Sequence, residues 1–122
     1  MHIAGIIVSG GTNARRLVEI IREDGTICTL PNLPSDRWSH SQSGLVLCGG
    51  IAAATKKTCL TFENVNWVKT HTLTMERRDH LSWKTKNGDI FLIGGSGAAK
   101  RSTEMLSTST ITRQFSLQVD VM

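Results

Sequence analysis

Leu45-Val46-Leu47-Cys48-Gly49-Gly50 decides the reading of this chain, because its pattern occurs three times. Gly5-Ile6-Ile7-Val8-Ser9 runs into Gly10-Gly11, and Ile90-Phe91-Leu92-Ile93 runs into Gly94-Gly95. Each is a short apolar run, as a buried strand requires, closed by residues that reach backbone conformations denied to L side chains. The pairs do not open a helix, so a phosphate-binding role is excluded and all six glycines are read as structural. They follow one another at intervals of 39 and 45 residues. Self-similarity on that scale is the mark of a repeated supersecondary unit.

Working outward, each pair is followed by a loop and a mixed strand: Leu17-Val18-Glu19-Ile20-Ile21, Thr58-Cys59-Leu60-Thr61-Phe62 and Ser102-Thr103-Glu104-Met105-Leu106. Turn signals come next, at Asp24-Gly25, Asn64-Val65-Asn66 and Ser107-Thr108-Ser109, and closing strands at 26–30, 67–72 and 111–117. Asp24-Gly25 and Asn87-Gly88 supply the positive φ that tight hairpins need. Arg37-Trp38-Ser39-His40-Ser41-Gln42 and Arg77-Arg78-Asp79-His80-Leu81-Ser82-Trp83 add a strand before the second and third apolar runs, each opening Arg-x-x-His. The expected units are a three-stranded 1–34, beginning at its second strand, and four-stranded 35–75 and 76–122. The fold class is therefore all-β, in consecutive four-stranded antiparallel units of the size of a β-propeller blade.

Composition agrees. With 39% apolar and 20% charged residues in 122, the chain can build a core, and no run nears the roughly 20 apolar residues of a membrane span. Residues 1–8 lack the basic leader of a targeting segment and read as a strand. The net charge of +4 suits an acidic partner. Three Trp, three Phe and no Tyr make a poor base-stacking surface, so no nucleic-acid partner is expected.

Glycine pairs after apolar strands, Glu19 and Glu104 on the strands that follow, and Trp67 on a fourth strand resemble kelch repeats. WD40 repeats share the spacing, but the chain has neither a Trp-Asp nor a Gly-His dipeptide. The resemblance spans nearly the whole chain, while the missing Tyr marks the repeats as divergent. It implies an incomplete kelch-type β-propeller of about three blades, acting as a non-catalytic protein- or ligand-binding scaffold without a cofactor. It also implies that Glu19 and Glu104 are buried acceptors for backbone N–H or Arg, and Trp38, Trp67 and Trp83 would pack between blades. Residues 36–50 with Thr58-Cys59 also look like cysteine-bearing kelch-type modules of secreted animal proteins. Fewer than the four or more blades of a closed ring leave open faces. Those faces call for the rest of a longer propeller, or for self-association of two copies into a six-bladed ring.

Enzymatic readings fail on residue types. Copper oxidases on kelch-like propellers need tyrosines, as do propeller sialidases with their Tyr nucleophile, so a propeller oxidase is the remotest reading. His2, His40, His71 and His80 show no metal-ligand spacing, and Ser39-His40 and Asp79-His80, adjacent on a strand, would point to opposite faces.

Two features point to binding instead. Arg37 and His40, with Arg77 and His80, sit where kelch ubiquitin-ligase receptors place basic residues towards a ligand; the same arginines would serve equally as inter-blade hydrogen-bond donors. A substrate-receptor fragment of a cullin-type ubiquitin ligase is accordingly the second reading, although no BTB or BACK sequence is present. Basic doublets also follow each glycine pair: Arg15-Arg16, Lys56-Lys57 and Lys100-Arg101. Preceded by Ala14, Ala52 to Ala54, and Ala98-Ala99, they form either a basic arc for an acidic protein, glycan or membrane surface, or simple solvated loops. Cys48 and Cys59, on neighbouring strands, are placed to bridge, leaving Cys28 over. Together with the resemblance to secreted modules, which chiefly carries it, that implies an extracellular compartment, with three buried thiols in a cytoplasmic protein as the other possibility.

Overall fold

The computed structural model describes residues 5–13, 15–52 and 56–107, together with the backbone of a strand at 112–116. The chain is all-β, and the described residues include one short 3-10 turn, at Gly97–Ala99, that the sequence reading did not foresee. Three antiparallel meanders follow one another. The first sheet has β1 (Gly5–Ser9), β2 (Val18–Arg22) and β3 (Ile27–Leu30) in the order β1-β2-β3. The second has β4 (Ser41–Ser43), β5 (Val46–Cys48), β6 (Thr58–Glu63) and β7 (Asn66–Thr72), and the third β8 (Leu81–Lys84), β9 (Ile90–Ile93), β10 (Ser102–Leu106) and β11 (Thr112–Ser116). Both four-stranded sheets keep chain order, and none of the three closes on itself. Thr108 and Ser109 of the expected turn, the ends of the last strand, residues 1–4, Ala14, and Ala53 to Thr55 lie outside the described residues.

Turn chemistry explains the meanders. Gly25 (φ 86°) and Gly88 (φ 89°) close the β2–β3 and β8–β9 hairpins. Asp24 Oδ1 accepts bonds from both the amide and the hydroxyl of Thr26, tightening the first. Between β6 and β7, Asn64 (φ 49°) and Val65 (φ 64°) form a two-residue turn in which both residues are left-handed. Asparagine tolerates that region; a β-branched valine does not.

The glycine pairs repeat their geometry in all three sheets. The leading glycines Gly10, Gly49 and Gly94 have φ of 63°, 72° and 65°, and the following ones 110°, 130° and 118°. A Cβ on Gly10 would overlap the carbonyl oxygen of Arg37, and one on Gly49 that of Arg77. The chain therefore approaches the leading glycine of the first two pairs too closely for any side chain, while in the third pair it is Gly95, against the carbonyl of Arg78, that has no room for a Cβ.

Two apolar clusters fill the spaces between sheets. Val18 from the first sheet, Leu47 and Leu60 from the second, and Leu33 from the linker form one, flanked by Ile7, Leu30 and Trp67. Cys48, Cys59, Leu73, Ile90, Leu92 and Leu106 form the other, flanked by Val46. Leu33 and Leu73 hold the same place in successive linkers: Leu33 N donates to Arg16 O and Leu73 N to Lys57 O. Burying such a leucine contributes about 1.5–3 kcal/mol.

Period-2 alternation leaves each outer sheet with a second apolar face. On the first sheet Ile6, Val8, Ile21 and Ile27 are exposed, Ile6 by 66%. On the third, Leu81 and Trp83 are exposed by 70% and 59%. Trp83, expected to pack between sheets, lies 6.0 Å from Phe91 of its own sheet, and no other described sheet covers it. Among the described residues no helix is long and apolar enough to cross a membrane.

Candidate functional site

The Arg-x-x-His segments precede β4 and β8 instead of opening them, and Ser39 (φ 58°) and Asp79 (φ 54°) are left-handed. The strand alternation expected for the Ser39-His40 and Asp79-His80 pairs accordingly does not apply. Arg37 and Arg77 are both 1% exposed. Of the two roles open to them, they take hydrogen bonding rather than a partner-facing surface. Arg37 donates through Nη1 to the carbonyls of Gly49 (2.8 Å) and Thr58 (3.0 Å), and through Nη2 to Thr58 Oγ1. Arg77 repeats the pattern one sheet later, donating to the carbonyls of Gly94 (2.8 Å) and Ser102 (3.0 Å) and to Ser102 Oγ.

Their main chains repeat too. Arg37 N donates to Arg15 O and Gly11 N to Arg37 O; Arg77 N donates to Lys56 O and Gly50 N to Arg77 O. Each arginine thus ties its linker to the glycine loop of the preceding sheet, while its guanidinium caps the next sheet.

One difference separates the two. Arg77 Nε also meets Glu104 Oε1 at 3.1 Å, a pair sealed completely from solvent. Glu104 further accepts from the amides of Thr74 (2.8 Å) and Met75 (3.3 Å). In the second sheet Leu60 occupies the equivalent place, and Arg37 Nε has no partner. Burial without that countercharge pulls the Arg37 guanidinium down to about 10. Pro34, which has no N–H to satisfy, stands where Thr74 donates. The expectation of a buried acceptor thus describes Glu104. Glu19, at the matching place on β2, is only partly buried and has no partner among the described residues.

The histidines pack against the glycine pairs. His40 Nε2 lies 3.0 Å from Ser9 Oγ, which donates in turn to Gln42. His80 has the same relation to Gly49, but Cys48 stands where Ser9 stands, and neither ring nitrogen finds a partner. Both rings are held down at about 4. Burial is the main cause for each, reinforced by Arg37 at His40 and by Arg77 at His80.

Cys48 and Cys59 pair directly across β5 and β6, with Cα atoms 4.1 Å apart and the sulfurs joined. Cys28 is half-buried and free. Trp67 donates from Nε1 to Pro31 O (2.8 Å), anchoring the second sheet to the linker that precedes it.

The first two basic doublets occupy equivalent loops, since the carbonyls of Arg15 and Lys56, and of Arg16 and Lys57, receive the same linker amides; no described linker makes these contacts with Lys100-Arg101. They are not equivalent in charge. Asp36 pairs with both Arg16 (2.9 Å) and Arg15 (3.7 Å), and the Arg15 guanidinium stacks 4.5 Å over the Trp38 ring. Lys57, Lys100 and Arg101 are exposed. Lys56 is half-buried and joins Glu76, Arg77 and Arg78 around a cleft of about 250 Å³, closed on the other side by Ser96 and Gly97. Glu76 and Arg78 were not singled out from the sequence. Superposing the two linkers on Arg37 and Arg77 aligns them with Asp36 and Trp38, the signal that finds them.

Among the described residues no three His, Cys, Asp or Glu side chains gather as a metal site would require. No family model matches the chain, and no curated protein matches it.

Proposed function

We propose that this chain is a non-catalytic interaction scaffold, built as successive blades of a kelch-type β-propeller and completed by further sheets of the same kind. One observation carries the reading: the linker contacts recur with the same donors and acceptors from one sheet to the next. Glycine-pair amide to arginine carbonyl, doublet carbonyl to arginine amide, and guanidinium to the next glycine and strand-start carbonyls all repeat at Arg37 and Arg77. Such nearest-neighbour repetition is how quasi-one-dimensional architectures propagate. The two outer apolar faces are what such an array presents when its ends are uncovered.

The absence of a catalytic role rests on how the reactive side chains are used. Glu104 and the two arginines are committed to backbone groups, and His40 and His80 are wedged against glycines. Loops and faces remain as the working surfaces, which suits a protein or an acidic ligand as partner.

Sedimentation velocity tests the reading. At micromolar concentration the chain should self-associate through Ile6, Ile21, Leu81 and Trp83, and an Ile21→Lys/Trp83→Lys variant should shift towards monomer. A compact, cooperatively unfolding wild-type monomer would overturn it.

A further inference from the structure

The two linkers make the same backbone contacts, so the space beside each can be compared position by position. Beside the first, Trp38 fills the space with its indole, Arg15 lies over the ring, and Asp36 neutralises the doublet. Beside the second, Arg78 replaces Trp38, Lys56 replaces Arg15 and Glu76 replaces Asp36. No ring fills this space, and a cleft of about 250 Å³ stands open there. Among the described residues Lys56, Glu76 and Arg78 make no ion pair and no side-chain hydrogen bond. The cleft therefore offers two cations and one anion, all unspent, against a wall formed by Gly50, Ser96 and Gly97. The amides of Gly50 and Ser96 are already committed to the carbonyls of Arg77 and Arg78, so the wall is rigid and the side chains carry recognition.

We propose that this cleft binds an acidic residue of a protein partner, its carboxylate between Lys56 and Arg78 and its own backbone N–H donated to Glu76. The volume is below the roughly 300 Å³ at which small-molecule pockets begin, which fits one or two residues of a chain. A net charge of one positive unit from the three free side chains suits a single carboxylate. Glu76 repels a bare dianion, yet supplies the acceptor that a peptide N–H requires. Arginine adds a planar fork that matches a carboxylate, and lysine adds a point charge. This site deepens the scaffold reading but depends only on the second linker, so the sedimentation result does not decide it.

The probe is the capped dipeptide acetyl-Glu-Glu-amide, titrated into the full chain at low salt and followed by the amide resonances of Gly50, Ile51, Ser96 and Gly97. Saturable shifts are expected at these four amides, weakening steeply with salt. Lys56→Met should weaken binding about fivefold, the factor one partly exposed ion pair carries. Arg78→Trp, which copies the filled first linker, should abolish it; Arg78→Gln, which keeps the space open, should weaken it about fivefold. Glu76→Gln should weaken the dipeptide but strengthen glutarate, the free dicarboxylate used as comparison. Unchanged binding in Arg78→Trp and Arg78→Gln would overturn the site. Glutarate or phosphatidylserine vesicles binding more tightly than the dipeptide would overturn the assignment to a protein segment.

Discussion

Replacing Glu104 with leucine copies what the second sheet does at Leu60, and the structure gives the cost. Glu104 accepts from Thr74 N, Met75 N and Arg77 Nε, so Glu104→Leu takes an acceptor away from one fully buried guanidinium and from two part-buried amides. Leaving the buried guanidinium N–H unmade costs about 1–3 kcal/mol, and breaking a buried ion pair typically costs about 3–5 kcal/mol in total. A loss of about 3–5 kcal/mol is expected, a large share of the 5–15 kcal/mol that holds a typical domain. Adding Thr74→Pro, which copies Pro34, removes one of the amides that Glu104 serves and should return up to about 1 kcal/mol. The arginines should differ for the same reason. Arg77→Met strands a buried carboxylate and should cost more than Arg37→Met, which strands only neutral carbonyls. Urea unfolding followed by far-ultraviolet circular dichroism gives all four values, provided the slope against urea is unchanged. The reasoning fails if Glu104→Leu costs less than about 1 kcal/mol, or if the double variant is no more stable than the single one.

His40 and His80 have folded pKa values near 4 against an ordinary 6.5, so the unfolded chain takes up their protons first. Stability should be level above about pH 6.5, fall by up to about 3 kcal/mol per histidine down to pH 4, and level off below; an unaltered profile in His40→Gln/His80→Gln would refute this. Val65→Gly relieves a left-handed valine at an exposed turn and should raise the urea midpoint by the equivalent of about 1 kcal/mol, with no gain counting against the strain. Cys48→Ala/Cys59→Ala reopens a short loop and should cost about 3 kcal/mol by chain entropy; a change under about 0.5 kcal/mol would show that the bridge constrains nothing.

Much of the architecture was legible because it rests on local chemistry. Glycine pairs announce positive φ, Asp-Gly and Asn-Gly announce hairpins, and the apolar runs became strands within a residue or two of their expected limits. Cys48 and Cys59 were legible because antiparallel register sets them opposite each other. The candidate site was less so. An arginine in a sequence reads as surface charge, and the acceptors that bury Arg37 and Arg77 are main-chain carbonyls, which no residue type spells out. The doublets share a loop position, yet their charge depends on what stands at 36, 38, 76 and 78, in segments some twenty residues further on. Trp83 reads as packing surface, and its exposure reflects only that no described sheet covers it.

The same strand position is solved three ways, and the difference bears on what covers the first sheet. Glu104 is matched by an arginine and two amides; Leu60 by a proline and a cluster of carbon. Glu19 has neither, and it shares its face with Val8, Ile6, Ile21 and Ile27. A partner face of carbon alone would bury that carboxylate unpaired, at a cost of several kcal/mol. On the outer face of the third sheet, Leu81 and Trp83 expose carbon of that kind. Glu19 therefore limits self-association through these two faces to micromolar strength without preventing it, and a partner that brings a guanidinium, as Arg77 does for Glu104, should bind more tightly. Glu19→Leu removes the opposition and should tighten self-association at least tenfold by sedimentation equilibrium, while Glu19→Asp should leave it weak. If Glu19→Leu associates no more tightly than wild type, the carboxylate is not what selects the partner.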